Sequence, residues 1–176
     1  MRECIRSAAR RGAWHLAAAV VLTCLAAPLA SAQNKIGGHF GAVFPLVTHA
    51  NGETTSISDD FSIGFPMGIT VHTTDETAFD LEIVPGLNPN KDEAIGVPLT
   101  IHPGVLHRIS GPWTGGLRMA FDVGGASWGF TPLLNLGFPK AHNTFVEFVL
   151  PIRFKDDDSG NTHTAVTFGI HFGIGF

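Results

Sequence analysis

The stretch from Val166 to Phe176 constrains this chain more than any other. Every second residue is large and apolar: Val166, Phe168, Ile170, Phe172, Ile174 and Phe176. Between them stand Thr167, Gly169, His171, Gly173 and Gly175. Consecutive side chains of a β-strand point to opposite faces, whereas an amphipathic helix repeats its apolar residues three and four apart. The segment therefore reads as a strand with one face of large hydrophobes and one face of small or polar groups.

The same rhythm recurs upstream. Phe61, Ile63, Phe65, Met67, Ile69 and Val71 alternate with Ser62, Gly64, Pro66, Gly68, Thr70 and His72. Phe79, Leu81 and Ile83 alternate with Asp80 and Glu82, and Leu117, Met119, Phe121 and Val123 with Arg118, Ala120 and Asp122. Val146, Phe148, Leu150, Ile152 and Phe154 alternate with Glu147, Val149, Pro151, Arg153 and Lys155. Fainter alternation covers Ile36–Leu46, Val97–Ile109 and Phe130–Phe138. The count is eight candidate strands, and Gly and Pro recur too often for convincing helices.

The first 32 residues read as a cleaved secretory signal peptide of the Sec type. Arg2 to Arg11 form a basic n-region, Leu16–Leu29 an apolar h-region, and Ala30-Ser31-Ala32 a small-residue cleavage site before Gln33. The apolar run is short for a membrane-spanning helix, and Pro28 interrupts its end. Both cysteines, Cys4 and Cys24, fall in the signal, so no disulfide is available to the remainder. The chain has 11 basic and 15 acidic residues. Losing Arg2, Arg6, Arg10, Arg11 and Glu3 with the signal leaves seven and fourteen, a net charge of −7. With no basic cluster, nucleic acid is excluded as a partner. Charged residues are 15% of the chain, too few for a disordered one.

The connections alternate in length. Long polar ones are expected at Thr48–Asp60, Asn88–Ala94 and Asp156–Thr164, with a shorter one at Gly124–Gly129 on the same side. Short turns are expected at Thr73–Thr77, Ser110–Pro112 and Lys140–His142. Residues 33–176 supply 18 residues for each of eight strands with its connection. A tilted strand needs about 9–11 to cross a bilayer. Long loops at one end and short turns at the other are the pattern of outer-membrane barrels whose termini lie in the periplasm.

In these features the chain resembles the small bacterial outer-membrane β-barrel proteins of Gram-negative bacteria. Their last strand ends on an aromatic residue, usually Phe, with hydrophobes at alternate positions before it. Phe168, Ile170, Phe172, Ile174 and Phe176 fit that pattern. The resemblance implies an all-β fold: a closed, antiparallel, up-and-down transmembrane barrel of about eight strands over residues 33–176. It also implies that those five residues are read by the barrel-assembly machinery during biogenesis. The surroundings would be outer-membrane lipid and lipopolysaccharide, and the protein a monomer. Two features depart from the family. Tyr is absent, so Trp113, Trp128 and phenylalanines such as Phe44, Phe61, Phe79, Phe130, Phe154 and Phe176 would have to form the interfacial girdles. Pro66, Pro98, Pro103, Pro132 and Pro151 fall inside expected strands, which calls for bulges or shifted boundaries.

The inward faces carry Asp80, Glu82, His102, Arg108, Arg118, Asp122, Glu147, Arg153 and His171. An eight-stranded barrel is about wide enough for its own side chains to fill it, and charges inside need partners. A lumen polar network is the expected role of these nine residues. Inward glycines (Gly37, Gly41, Gly64, Gly68, Gly169, Gly173) leave room either for a narrow passage or for close packing.

No catalytic residue emerges. The chain has no H-E-x-x-H, no Walker A motif and no dinucleotide fingerprint. His163 with Ser159 or Ser58 is the nearest approach to a hydrolase pair. The eight histidines after the signal lack metal-site spacing, and Asp156-Asp157-Asp158-Ser159-Gly160-Asn161 lacks the calcium-loop pattern. No cofactor and no metal are expected. The expected function is non-enzymatic, structural or surface-interacting, with the option of a narrow porin-like pore. The competing classes are a passive channel for ions or small solutes, a lipid-modifying enzyme, and a soluble periplasmic lipid-binding barrel built inside out.

Overall fold

The computed structural model describes residues 35–89, 98–124, 127–156 and 161–176. The expected signal peptide lies outside the described residues. So do most of the Asn88–Ala94 connection and residues Asp157–Gly160 of the aspartate run.

The described residues form eleven strands: β1 (Ile36–Ala50), β2 (Glu53–Ser56), β3 (Ile63–Gly64), β4 (Met67–His72), β5 (Thr77–Leu87), β6 (Leu99–Ser110), β7 (Trp113–Val123), β8 (Ser127–Phe138), β9 (Thr144–Val149), β10 (Ile152–Asp156) and β11 (Thr162–Gly175). Every pairing among them is antiparallel. Two staves of the wall are made of pieces. β2, β3 and β4 follow one another beside β1, and β9 and β10 follow one another between β8 and β11. The last strand pairs with the first, from His39↔Gly175 to Ala50↔Ala165. The result is a closed up-and-down barrel of eight staves. Closure gives each stave a neighbour on both sides, which an open sheet cannot do, and β2 extends beyond the ring, paired with β1 alone.

The prolines explain the interruptions. Pro66 lies in the gap between β3 and β4, and Pro151 between β9 and β10. Proline has no N–H to give to the ladder. Both keep their carbonyls in it: Gly41 N donates to Pro66 O (2.9 Å) and Thr167 N to Pro151 O (2.8 Å). Pro45 sits at a register shift in β1. Pro132 stays inside β8, where its carbonyl accepts from Leu150 N at 3.0 Å. Pro103 stays inside β6, opposite Leu81. Pro98 precedes β6 instead of lying within it.

Several boundaries differ from those expected, β11 for instance starting at Thr162, inside the expected Asp156–Thr164 loop. β1 runs four residues past Leu46, β8 starts at Ser127, and the expected long loop Thr48–Asp60 is largely a hairpin of β1 with β2. Asn51 and Gly52, at φ 53° and 80°, make its two-residue turn. Positive φ at both positions matches the right-handed twist of the flanking strands, and Asn-Gly is the pair that tolerates it best. The opposite end of the barrel carries the short connections at residues 73–76, 111–112 and 139–143.

The wall sorts its residues by face. Outward positions include Phe40, Met67, Ile69, Val105, Leu117, Phe121 and Phe172, each about half exposed. Trp128, Phe130 and Phe154 cluster on the outer face near the long-loop end, with Trp128 and Phe154 ring centroids 4.9 Å apart. The buried side chains inside are mostly polar: His39, Asp80, Glu82, His102, Arg118, Thr131, Glu147 and His171. The apolar residues buried with them are small in number, namely Ala78, Ala120, Leu133 and Val149.

Candidate functional site

The polar residues at mid-lumen form a plug. Asp80 and Glu82 project from β5, Arg118 from β7, Glu147 from β9, His171 from β11, His39 from β1 and His102 from β6. Cross-strand register puts several of them side by side: Glu82 faces His102, and Glu147 faces both His171 and Asn135. Directly opposed residues are the closest neighbours on one face of a sheet.

Arg118 lies at the centre, 2% exposed. Its Nε donates to Asp80 Oδ2 at 2.8 Å and its NH1 to Glu147 Oε1 at 2.7 Å, with Glu82 Oε2 at 3.4 Å. Asp80 also accepts from Thr70 Oγ1 at 2.7 Å. Glu82 is held from two sides, by His39 Nε2 and His102 Nδ1, each at 3.0 Å. Arg153 NH2 approaches His102 Nε2 at 3.2 Å. A guanidinium only donates, so this contact makes Nε2 the acceptor and puts the ring proton on Nδ1, aimed at Glu82. His171 Nδ1 meets Glu147 Oε1 at 3.3 Å. The other nitrogen of His171, Nε2, is buried and has no hydrogen-bond partner.

Glycines make the room these side chains occupy. A Cβ at Gly68 would strike the His39 ring, and one at Gly41 would lie 2.7 Å from His171 Nε2 and closer still to the Phe172 carbonyl. Of the two roles open to the inward glycines, close packing is the one seen at both positions. Phe145 completes the layer, edge-on to His171 at 4.9 Å and to His39 at 5.9 Å.

The plug divides the lumen into two cavities. The one toward the short turns has a volume of about 190 Å³ and reaches His72, Asp75, Glu76 and Arg108. The one toward the long loops has a volume of about 140 Å³, with Val43, Pro45, Pro66, Val84, Val149 and Pro151 above a charged floor. Arg118 and Glu147 are the two residues that border both. The Arg118–Glu147 ion pair thus lies where a continuous passage would have to run.

Of the nine lumen residues expected from the sequence, Asp80, Glu82, His102, Arg118, Glu147 and His171 meet in this cluster, and Arg153 joins it through His102. Asp122 is half-buried and accepts from Thr100 Oγ1 at 2.8 Å instead. Arg108 is exposed at the mouth of the turn-side cavity. His39, which that set omits, belongs to the plug. Its signal was present in the alternation of β1, where His39 shares parity with Gly37 and Gly41.

The loop residues considered for catalysis stand otherwise. His163 Nδ1 contacts Asn51 Oδ1 at 2.9 Å, while Ser58 Oγ contacts Ser56 Oγ at 2.7 Å. Ser159 lies outside the described residues. Phe168, Ile170, Phe172 and Ile174 face outward from β11, and Phe176 follows it, exchanging backbone hydrogen bonds with Gly38 at 2.9 Å each way. No family model, curated protein or solved structure matches the chain.

Proposed function

We propose that the protein is an integral β-barrel of a bacterial outer membrane, non-enzymatic, with a structural or surface-interaction role and a lumen closed by its own ionic plug. The observation that carries this reading is the sorting of the wall: charged and polar groups inside, large hydrophobes outside. A water-soluble barrel buries its hydrophobes. Here Ile36, Phe40, Met67, Ile69 and Leu117 are each more than 50% exposed, and they belong to an outer face that is apolar on every stave. Soluble monomers rarely leave contiguous apolar patches beyond a few hundred Å². Lipid solvates such a face at no cost, and a closed barrel leaves no backbone group unpaired within it. An outward hollow of about 670 Å³ between Phe40, Phe65, Met67, Phe172 and Ile174 is apolar throughout and suits lipid chains.

In this reading the short turns and both termini face the periplasm. The β1–β2 hairpin and the other long connections face outward, among lipopolysaccharide, and carry any surface interaction. The barrel-assembly machinery would be its partner in biogenesis, and the working form a monomer. The plug favours a filled barrel over an open channel, because the Arg118–Glu147 contact blocks the axis.

The test is a cold denaturing gel of detergent-extracted outer membranes. The expected result is a membrane-fraction band that shifts on boiling, with no conductance when the protein is added to planar bilayers. Recovery in the soluble periplasm with no shift would overturn the membrane reading. Steady conductance would overturn the closed lumen.

A further inference from the structure

We propose that the plug is a binding site for one divalent transition cation, held by Glu82, Glu147 and His171. A donor atom from each of the three lies within 4.8 Å of the others. The three side chains are 3%, 2% and 1% exposed and come from three different strands, β5, β9 and β11. Local spacing in the sequence cannot reveal such a trio.

Three further observations point to a cation. First, His171 Nε2 is buried without a partner, and buried polar atoms in native proteins are satisfied by protein, water or an ion. Its companion Nδ1 lies 3.3 Å from Glu147 Oε1, so the two side chains are already neighbours. Second, Glu147 has unused capacity. Arg118 takes Oε1, whereas Oε2 meets only Asn135 Nδ2 at 3.5 Å. Arg118 keeps its Asp80 contact through Nε, so it can stay while a cation shares Glu147. Third, the charges do not balance. Asp80, Glu82 and Glu147 surround Arg118, and Arg153 joins them through His102, so three carboxylates face two guanidiniums. Burying unbalanced charge is expensive, and a cation adds positive charge where the cluster lacks it.

The donor set selects the class of ion. One imidazole and two carboxylates, with no thiolate, suit Zn²⁺ and its first-row neighbours better than Ca²⁺ or Mg²⁺, which prefer oxygen alone. Glu82, Glu147 and His171 all line the loop-side cavity, whose volume of about 140 Å³ gives space for water to complete the coordination.

The experiment uses the full barrel in detergent, stripped with chelator, then titrated with Zn²⁺ by calorimetry and with Co²⁺ by absorption. One Zn²⁺ per chain is expected, with Co²⁺ giving visible bands of a low-coordinate nitrogen–oxygen site, and with Mg²⁺ and Ca²⁺ failing to compete. His171→Gln should weaken Zn²⁺ at least tenfold while His142→Gln, in an exposed turn, leaves it unchanged. Absence of stoichiometric uptake by the unaltered protein overturns the site, as does uptake indifferent to His171→Gln or lost with His142→Gln. If His171→Gln fails to give a heat-shifting band, the Co²⁺ spectrum of the unaltered protein decides, and missing bands at one equivalent overturn the proposal. None of these outcomes bears on where the barrel resides, which the gel and fractionation decide separately.

Discussion

Leu117 and Arg118 are neighbours on β7 and meet opposite surroundings. Leu117 is 51% exposed on the outer face, and Arg118 is 2% exposed at the centre of the lumen. A domain with an apolar core would place them the other way round. The comparison shows that the word core has two meanings here. The side chains most removed from contact with any solvent are ionic, and their cohesion is Coulombic and hydrogen-bonded. The apolar side chains lie instead on the outer surface of the wall.

The comparison breaks most severely if its ionic side is emptied. Arg118→Met leaves Asp80, Glu82 and Glu147 buried without their shared guanidinium. Removing one partner of a buried ion pair typically costs about 3–5 kcal/mol. The expected outcome is a large drop in the urea midpoint of the barrel refolded in lipid vesicles. An unchanged midpoint would mean that the plug is solvated by water and contributes little.

The outer side is probed next. Leu117→Arg puts a charge on the outward face at the middle of β7. A guanidinium at the bilayer midplane costs about 2–4 kcal/mol, falling toward zero near the interfaces. The same substitution is expected to matter far less in detergent micelles than in vesicles. Equal tolerance in both media would show that this face does not meet lipid.

A smaller effect sharpens the packing between the faces. Gly41→Ala sets a methyl group against the Phe172 carbonyl and His171 Nε2. Overpacking of this kind costs about 1–3 kcal/mol. Two-dimensional NMR should show the largest shifts at His171 and Glu147, and shifts confined to residue 41 would count against the contact.

The smallest effect lies outside the wall, beyond β2. The Ser56 hydroxyl and then the Ser56 N–H, at 2.7 and 2.8 Å, hold the Asp59 carboxyl below its usual range. A depressed carboxylate favours the ordered turn above its unfolded value and loses that advantage as pH falls through the lowered folded value. Carbon-detected NMR of Asp59 should report this titration, and Ser56→Ala should move it back upward. Neither the plug nor the barrel should respond.

Much of this architecture is written at period two. The alternation, clearest in Val166–Phe176 and Phe79–Ile83 and repeated in the other segments, identifies the strands and their outward faces, and with them six of the seven residues that meet in the plug. Alternation does not say which face is wet, because a barrel turned inside out has the same pattern. Only the direction in which the sheet curls decides that. The hairpin at Asn51-Gly52 was legible from turn chemistry, yet a polar, threonine-rich stretch hides it as a loop. The broken staves at Pro66 and Pro151 follow from the missing proline donor, whereas the exact register of their carbonyls depends on neighbouring strands. The trio of Glu82, Glu147 and His171 is the least legible feature. Its members are 65 and 24 residues apart, and only the closed sheet brings them together.

The pairing of β1 with β11 has a consequence for the order of events in folding. Partners such as His39 and Gly175 lie near opposite ends of the described chain. Contacts of high sequence separation are slow to form, because loop closure must precede any gain from them. The seam therefore cannot be finished progressively from one end, as a stack of repeats can. Until β11 arrives, β1 on one side and β9 with β10 on the other present bare ladder edges, open to pairing with other chains. A nascent chain of this kind has to be kept apart from its neighbours until its last strand is in place, and maturation is accordingly one late event of ring closure.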